Sequence, residues 1–202
     1  MPLLPCPLTL TDRPPPADVR RFLRVAERRI AGFCRRERVT GFVSSDFACV
    51  YRALRAIEAA DLLAGRWVCE WGSGFGVVAC LAVMLGFEAW GVEVDRRLVA
   101  EARLLADDFD LPVEFVAGSY LPAPTEQPRQ KETDFAWLDT SARSGYDEID
   151  LAPADFDLIF AYPWPDEETF VNDLFDQHAR PGAVLLTYNG GEDVRAFRKA
   201  DG

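Results

Sequence analysis

The stretch RWVCEWGSGFGVVACLAVMLGF, residues 66–87, constrains this chain more than any other. It joins an apolar strand candidate to an amphipathic continuation through three glycines in five positions, Gly72, Gly74 and Gly76. Glycines this close together permit the tight turn and close backbone approach that nucleotide-binding α/β folds use between a strand and its following helix. The spacing is GxGxG, with Val77 where the dinucleotide fingerprint GxGxxG has its third glycine, so an NAD reading is weakened.

Glu70 precedes the turn by two residues, at the end of the strand candidate. A carboxylate there would repel a pyrophosphate but could accept hydrogen bonds from an ammonium group, directly or through water. The turn therefore favours a ligand with a cationic end. The next strand candidate ends in GVEVD, and Glu93 follows Gly72 at about the 20-residue distance where nucleotide-binding α/β folds hold a ribose diol on a carboxylate. That arrangement fits adenosine with a free 2′ hydroxyl and disfavours a 2′-phosphate.

Beyond Gly65, short β-type runs alternate with helical ones. Strands are predicted over residues 66–71, 88–94, 113–119, 156–162 and 182–188, with helices over 77–87, 95–109 and 166–179. Gly86 is a natural stop for the first of these helices. This rhythm implies an α/β fold with a doubly wound, mainly parallel sheet. Ahead of it stands an N-terminal helical extension. Residues 1–16 hold six prolines and read as an extended or frayed arm. A helix over 17–38 carries Val19, Phe22, Leu23, Ala26, Ile30 and Phe33 at helical spacing. A second helix, capped by Ser44 or Ser45, turns Phe47, Val50, Tyr51, Leu54, Ile57 and Leu62 inward. The expected division is an arm (1–16), helices (17–64) and an α/β core (65–202) within one domain. Residues 121–155 are long, proline-containing and weakly periodic; they read either as a lid or as a surface excursion with a short helix around residues 135–138.

The apolar content of 49% and charged content of 27% are ordinary for a soluble globular protein. No apolar run reaches the roughly 18 residues of a membrane span, and the N-terminus lacks a signal peptide's pattern, so a cytoplasmic location is expected. The five cysteines and single histidine indicate neither a zinc site nor a disulfide framework and read as reduced, mostly buried thiols. A net charge of −11 argues against nucleic acid as the main partner. The arginine-rich run over residues 19–38 departs from that balance. It reads as a solvated helix face or as a docking surface for RNA or an acidic protein.

VCEWGSGFG followed by GVEVD resembles the first two motifs of the class I S-adenosylmethionine-dependent methyltransferases, a likeness that spans about residues 42–188. The resemblance implies that Glu70, Gly72, Ser73, Gly74 and Gly76 surround the methionine part of S-adenosylmethionine and that Glu93 holds its ribose. It further implies that Val94 and the AGSY turn, with Gly118 and Ser119, flank the adenine; Ser119 stands where the family often has an acidic residue. FVSSDFACVYRAL, residues 42–54, is similar to a segment that closes one side of the cofactor pocket in several of these enzymes, some of which modify protein lysines. Its other reading is a serine-capped helix packed on the sheet. The family's sheet ends with two further strands, one antiparallel, whereas the 14 residues after Tyr188, NGGEDVRAFRKADG, suffice for a turn and a short helix. The last two strands are thus expected to be missing, leaving an open edge that invites a second copy.

The run FDLIFAYPWPDEE ends a strand candidate in Tyr162, Pro163, Trp164 and Pro165. It is similar to the Asn-Pro-Pro-aromatic motif of enzymes that methylate amide or adenine nitrogen, with Tyr162 replacing the asparagine and Trp164 the second proline. Tyr162 cannot accept from an amine as an asparagine carbonyl does, which argues against adenine or glutamine as substrate. As the candidate catalytic residues, Tyr162 and Trp164 could offer π faces to a lysine or to the sulfonium, or simply roof the sheet. Asp166, Glu167 and Glu168 read as the acidic first turn of a helix, and His178 as a surface residue near its C-terminus. The leading expectation is a methyltransferase acting on a protein side chain or a small molecule. Its rivals are a non-catalytic S-adenosylmethionine-binding module and an NAD-dependent oxidoreductase.

Overall fold

The computed structural model describes residues 3–38, 41–122 and 143–200. Five parallel strands form its centre: β2 (Trp67–Trp71), β3 (Glu88–Glu93), β4 (Val113–Ala117), β5 (Leu158–Ala161) and β6 (Val184–Tyr188). Each falls inside a predicted strand run. β5 and β6 are buried at every position, as strands covered on both faces must be. Helices α1 (Ala17–Arg36), α2 (Phe47–Ala59), α3 (Val77–Met84) and α4 (Arg96–Asp107) share one hydrophobic core with the sheet. Helices α5 (Tyr146–Ile149) and α6 (Glu168–His178) share the other. Alternation along β2 sends Val68 into the first core and Cys69 into the second.

The buried residues of α1 are the six that helical spacing predicts. At the start of α2, however, the cap is Asp46, whose carboxylate accepts from Cys49 N–H at 3.0 Å, in place of Ser44 or Ser45. Only Asp46 stands at the boundary from which a side chain reaches the N3 amide. α3 ends as expected at Gly86, whose left-handed φ of 84° lets Gly86 N–H bond Val83 O and Phe87 N–H bond Ala82 O.

The far edge of the sheet corrects the expectation of missing strands and an open β6 edge. Residues 194–199 form β7 (Val194–Lys199), antiparallel to β6, where a short helix was expected. β1 (Leu3–Pro5), within the segment read as an extended or frayed arm, pairs antiparallel with β7. The sheet therefore has seven strands in the order β1-β7-β6-β5-β2-β3-β4. Lys199 is buried, and its ammonium donates to Asp176 O and, at 2.7 Å, to Ala179 O, tying β7 to the C-terminal end of α6. A cation at a helix C-terminus also meets the negative end of the helix dipole.

Within the 121–155 stretch, residues 123–142, including the predicted helix around 135–138, lie outside the described residues. The chain after them returns to the end of β4, where Ser119 N–H donates to Arg143 O and Gly145 N–H to Ser119 O, both at 2.8 Å. α5 and a 3-10 turn at Pro153–Asp155 then lead into β5. Cys49, Cys69 and Cys80 are buried thiols, Cys6 is half-buried and Cys34 exposed. Among the described residues no helix is long and apolar enough to cross a membrane.

Gly76, the last glycine of the turn, starts α3 at φ 64°, and a Cβ on it would fall 2.1 Å from Phe115 Cε1. Gly76→Ala should combine left-handed strain with overpacking and cost about 2–4 kcal/mol. The expected drop in thermal midpoint is roughly 5–15 °C. A variant melting within about 2 °C of the parent would remove this packing role.

Candidate functional site

The chain leaves β2 for β3 and β4 on one side, then crosses to the other side of β2 for β5 and β6. At such a reversal the loops beyond the strands diverge and leave a crevice. A cavity of about 710 Å³ lies there. Its lining brings together Glu70, Gly72, Ser73, Gly74, Glu93, Val94, Ser119, Tyr162 and Trp164 of the predicted site. Gly76 and Gly118 are not in the lining. A Cβ on Gly118 would lie 2.6 Å from the Gly145 Cα, so both glycines accommodate the protein's own packing.

The buried Glu70 carboxylate reaches the first turn of α3 and accepts from Ala79 N–H at 2.8 Å. Burial pushes its pKa up to about 8; the Ala79 and Val78 amides oppose that rise, and the nearby Glu93 adds to it. The protein thus fills its own helix N-terminus with a carboxylate, at the position where a dinucleotide's pyrophosphate would need free amides. Glu93 is also buried, with one oxygen accepting from Gly74 N–H at 2.8 Å and the other from Asp95 N–H at 2.9 Å. Burial raises its pKa, and the Asp95 and Gly74 amides counter it. Each oxygen keeps a further lone pair for a donor such as a hydroxyl. Ser73 Oγ is buried against Gly91 with no hydrogen-bond partner among the described residues.

The loop after β5 holds the two candidate aromatics. Tyr162 is half-buried and meets Tyr188 of β6 edge-on, with ring centroids 4.8 Å apart and planes at 73°. Tyr188 is itself held by donating to Gly191 O at 3.0 Å. Trp164 N–H donates to a Glu167 carboxylate oxygen, and Glu167 N–H returns a bond to Trp164 O, both at 3.0 Å. Glu167 stands at the N-cap of α6, as expected of the acidic first turn of a helix, and is also buried and lines the cavity. Asp166 takes a left-handed φ of 75°, while Glu168 points outward to Arg195 at 2.8 Å. The sequence offers no signal that separates these neighbours. His178 lies outside the lining; burial and Lys199 lower its pKa.

Two further walls complete the cavity, one of them not assigned from the sequence. Tyr120 lines the cavity and stacks on Trp71 at 5.2 Å and 9°, while Trp71 Nε1–H donates to the Tyr146 hydroxyl at 2.5 Å. Phe42, Ser44, Ser45 and Phe47, from the segment expected to close one side of the pocket and from the start of α2, form another wall. The interior is acidic, with Glu70, Glu93, Asp95 and Glu167 all in the lining. Of the two lining arginines, Arg97 is held by Asp95 at 2.6 Å and Glu37 at 3.0 Å, and it keeps the Asp95 pKa low. Arg38 is exposed at the lip.

No protein-family profile and no curated protein matches the sequence. The fold does match solved structures. A methyltransferase from Geobacter sulfurreducens is 14% identical, with 93% of this chain and 92% of that chain covered and a TM-score of 0.55. An O-methyltransferase from Bacillus cereus, in complex with S-adenosylhomocysteine, is 15% identical, with 88% and 68% covered and a TM-score of 0.51. An RNA methyltransferase from Salinibacter ruber, also with S-adenosylhomocysteine, is 19% identical, with 72% and 86% covered and a TM-score of 0.48. The chain spans about half the length of two further matched structures, 47% and 46%. With its seven-stranded sheet, in which β7 alone runs opposite to the other strands, the chain has the α/β Rossmann-like fold of the class I S-adenosylmethionine-dependent methyltransferases.

Proposed function

We propose that this chain binds S-adenosylmethionine in the cavity beyond β2 and β3 and transfers its methyl group to a protein side chain or a small molecule. One observation carries the reading: two buried carboxylates, Glu70 and Glu93, flank a glycine turn whose helix N-terminus is already occupied by Glu70. The site therefore suits a cation better than a phosphate. The residues present fit the group. Glu93 lines the cavity and keeps acceptor capacity for a ribose diol. Gly72 and Gly74 let the backbone come close to the methionine part, and Val94 and Ser119 stand where the adenine would lie.

When bound, S-adenosylmethionine supplies a methyl group already activated on a sulfonium. The protein's task is then alignment and exclusion of water. Tyr162 and Trp164 would wall the acceptor side and offer π faces to a cationic acceptor. Glu167, buried beside Trp164, would hold an acceptor ammonium and take up the proton that an amine gives up. The competing readings lose ground. A non-catalytic module rested on the short C-terminus and on the atypical loop after β5; β7 with β1 remove the first ground. An NAD-dependent oxidoreductase would set a pyrophosphate against Glu70.

Calorimetric titration with S-adenosylhomocysteine should give micromolar binding and titration with NAD none; the reverse would sink the proposal. Glu93→Ala should weaken S-adenosylhomocysteine binding at least tenfold, about 1.4 kcal/mol, in a variant whose circular dichroism matches the parent. Unchanged affinity would remove Glu93 from the site.

Glu70 also sets a pH dependence. An unfolded glutamate titrates near 4.3, whereas Glu70 in the folded, ligand-free chain titrates at about 8. Between those values the folded state keeps a proton that the unfolded state has lost, so this contribution to stability falls as pH rises. The uncharged Glu70→Gln variant escapes that loss. Its unfolding free energy, read from denaturant titration, should gain on the parent's progressively from about pH 5 to pH 8, by an amount on the order of 2–4 kcal/mol. A constant difference across that range would show that burial does not perturb Glu70.

A further inference from the structure

We infer that the arginine face of α1 is a docking surface for an acidic polypeptide segment that brings its methyl-accepting residue to the cavity, an inference that rests on the methyl-transfer reading above. Residues 17–38 hold eight arginines against three carboxylates, in a chain whose net charge is −11. Arg20, Arg24 and Arg28 follow one another at i+4, and Arg35 falls on the same helix face, all four exposed and opposite the buried stripe. At 1.5 Å per residue this ridge runs for roughly 22 Å. Among the described residues Arg29 alone of the eight forms an ion pair, with Asp108. Arg20 and Arg28 bond only backbone carbonyls, of Pro15 and Arg24.

Two features select the partner. Among the described residues the large exposed apolar side chains are Leu4, Val43, Val94 and Leu104, none of them on α1. Folded partners bury an apolar patch at the centre of an interface; a ridge without one suits an extended, highly charged chain held by electrostatics. The second feature is a change of sign. The arginine-rich segment ends at the cavity lip with Arg38, whereas Glu70, Glu93, Asp95 and Glu167 make the interior acidic. A complementary partner is anionic along α1 and neutral or cationic where it enters the cavity. A polypeptide can change charge from one residue to the next. A nucleic acid carries a phosphate with every nucleotide, so it would bring negative charge against those carboxylates.

The test uses the full chain and three labelled probes in fluorescence anisotropy: a run of glutamates followed by one lysine, the same peptide with glutamine in place of glutamate, and a single-stranded RNA of equal charge. The expected result is binding of the acidic peptide at low salt, weakening as salt rises past about 0.15 M, with little binding of the glutamine peptide. The triple variant Arg24→Glu, Arg28→Glu, Arg35→Glu should bind the acidic peptide at least tenfold more weakly while titrating S-adenosylhomocysteine like the parent. No binding of the acidic peptide, or binding indifferent to the triple substitution, overturns the docking surface even where S-adenosylhomocysteine binds normally. Tighter binding of RNA than of the acidic peptide overturns the assigned partner class. Failure of the parent to bind S-adenosylhomocysteine would instead count against the methyl-transfer reading, and the peptide result would stand by itself.

Discussion

The hydrogen bond from Ala79 N–H to the Glu70 carboxylate joins the end of β2 to the first turn of α3, and the geometry of the cavity depends on it. It holds the intervening turn, in which Gly72, Gly74 and Gly76 all take positive φ, between 53° and 65°. From the neighbouring strand, Glu93 grips the same turn through Gly74 N–H. Two carboxylates are therefore buried close together, each stabilised by amides but each with a pKa raised by burial. Two negative charges here would be an electrostatic tension, which the folded chain avoids below about pH 8 by keeping Glu70 protonated and which a bound cation relieves.

The same tension explains why the site reads as one for a sulfonium and ammonium ligand although the fold class also serves phosphates elsewhere. A helix N-terminus attracts anions, and here an amide of its first turn is already taken by a carboxyl group of its own chain. With Asp95 and Glu167 also in the lining, the cavity is mainly acidic, its Arg97 paired with Asp95 and Glu37, and eight arginines are gathered along residues 17–38. The net charge of −11 averages over that separation and so describes neither surface.

Closure of the sheet is the other structural condition. β7 gives β6 its second neighbour and β1 covers β7, so the outermost strand on that side is three residues long and ends in Pro5. A short, proline-bearing edge is a poor template for another chain. The same closure places Tyr188 at the end of an interior strand, where its ring braces Tyr162 at the cavity wall.

By itself the sequence determined what depends on local periodicity and on special backbone conformations. The six buried residues of α1, the five parallel strands, the stop at Gly86 and the glycine turn with Glu70 and Glu93 were legible because amphipathic spacing and left-handed turns leave marks within a few residues. Tertiary structure alone decided what depends on distant partners. VRAFRK is a strand because β6 lies beside it, and residues 3–5 pair because β7 then offers an unpaired edge. Glu70 caps α3, Gly118 makes room for Gly145, and Glu167 turns inward while Glu168 turns out, because each choice is settled by packing between segments that the sequence keeps apart. A carboxylate's role follows from which amide, cation or cavity the fold brings to it, and no local pattern encodes that.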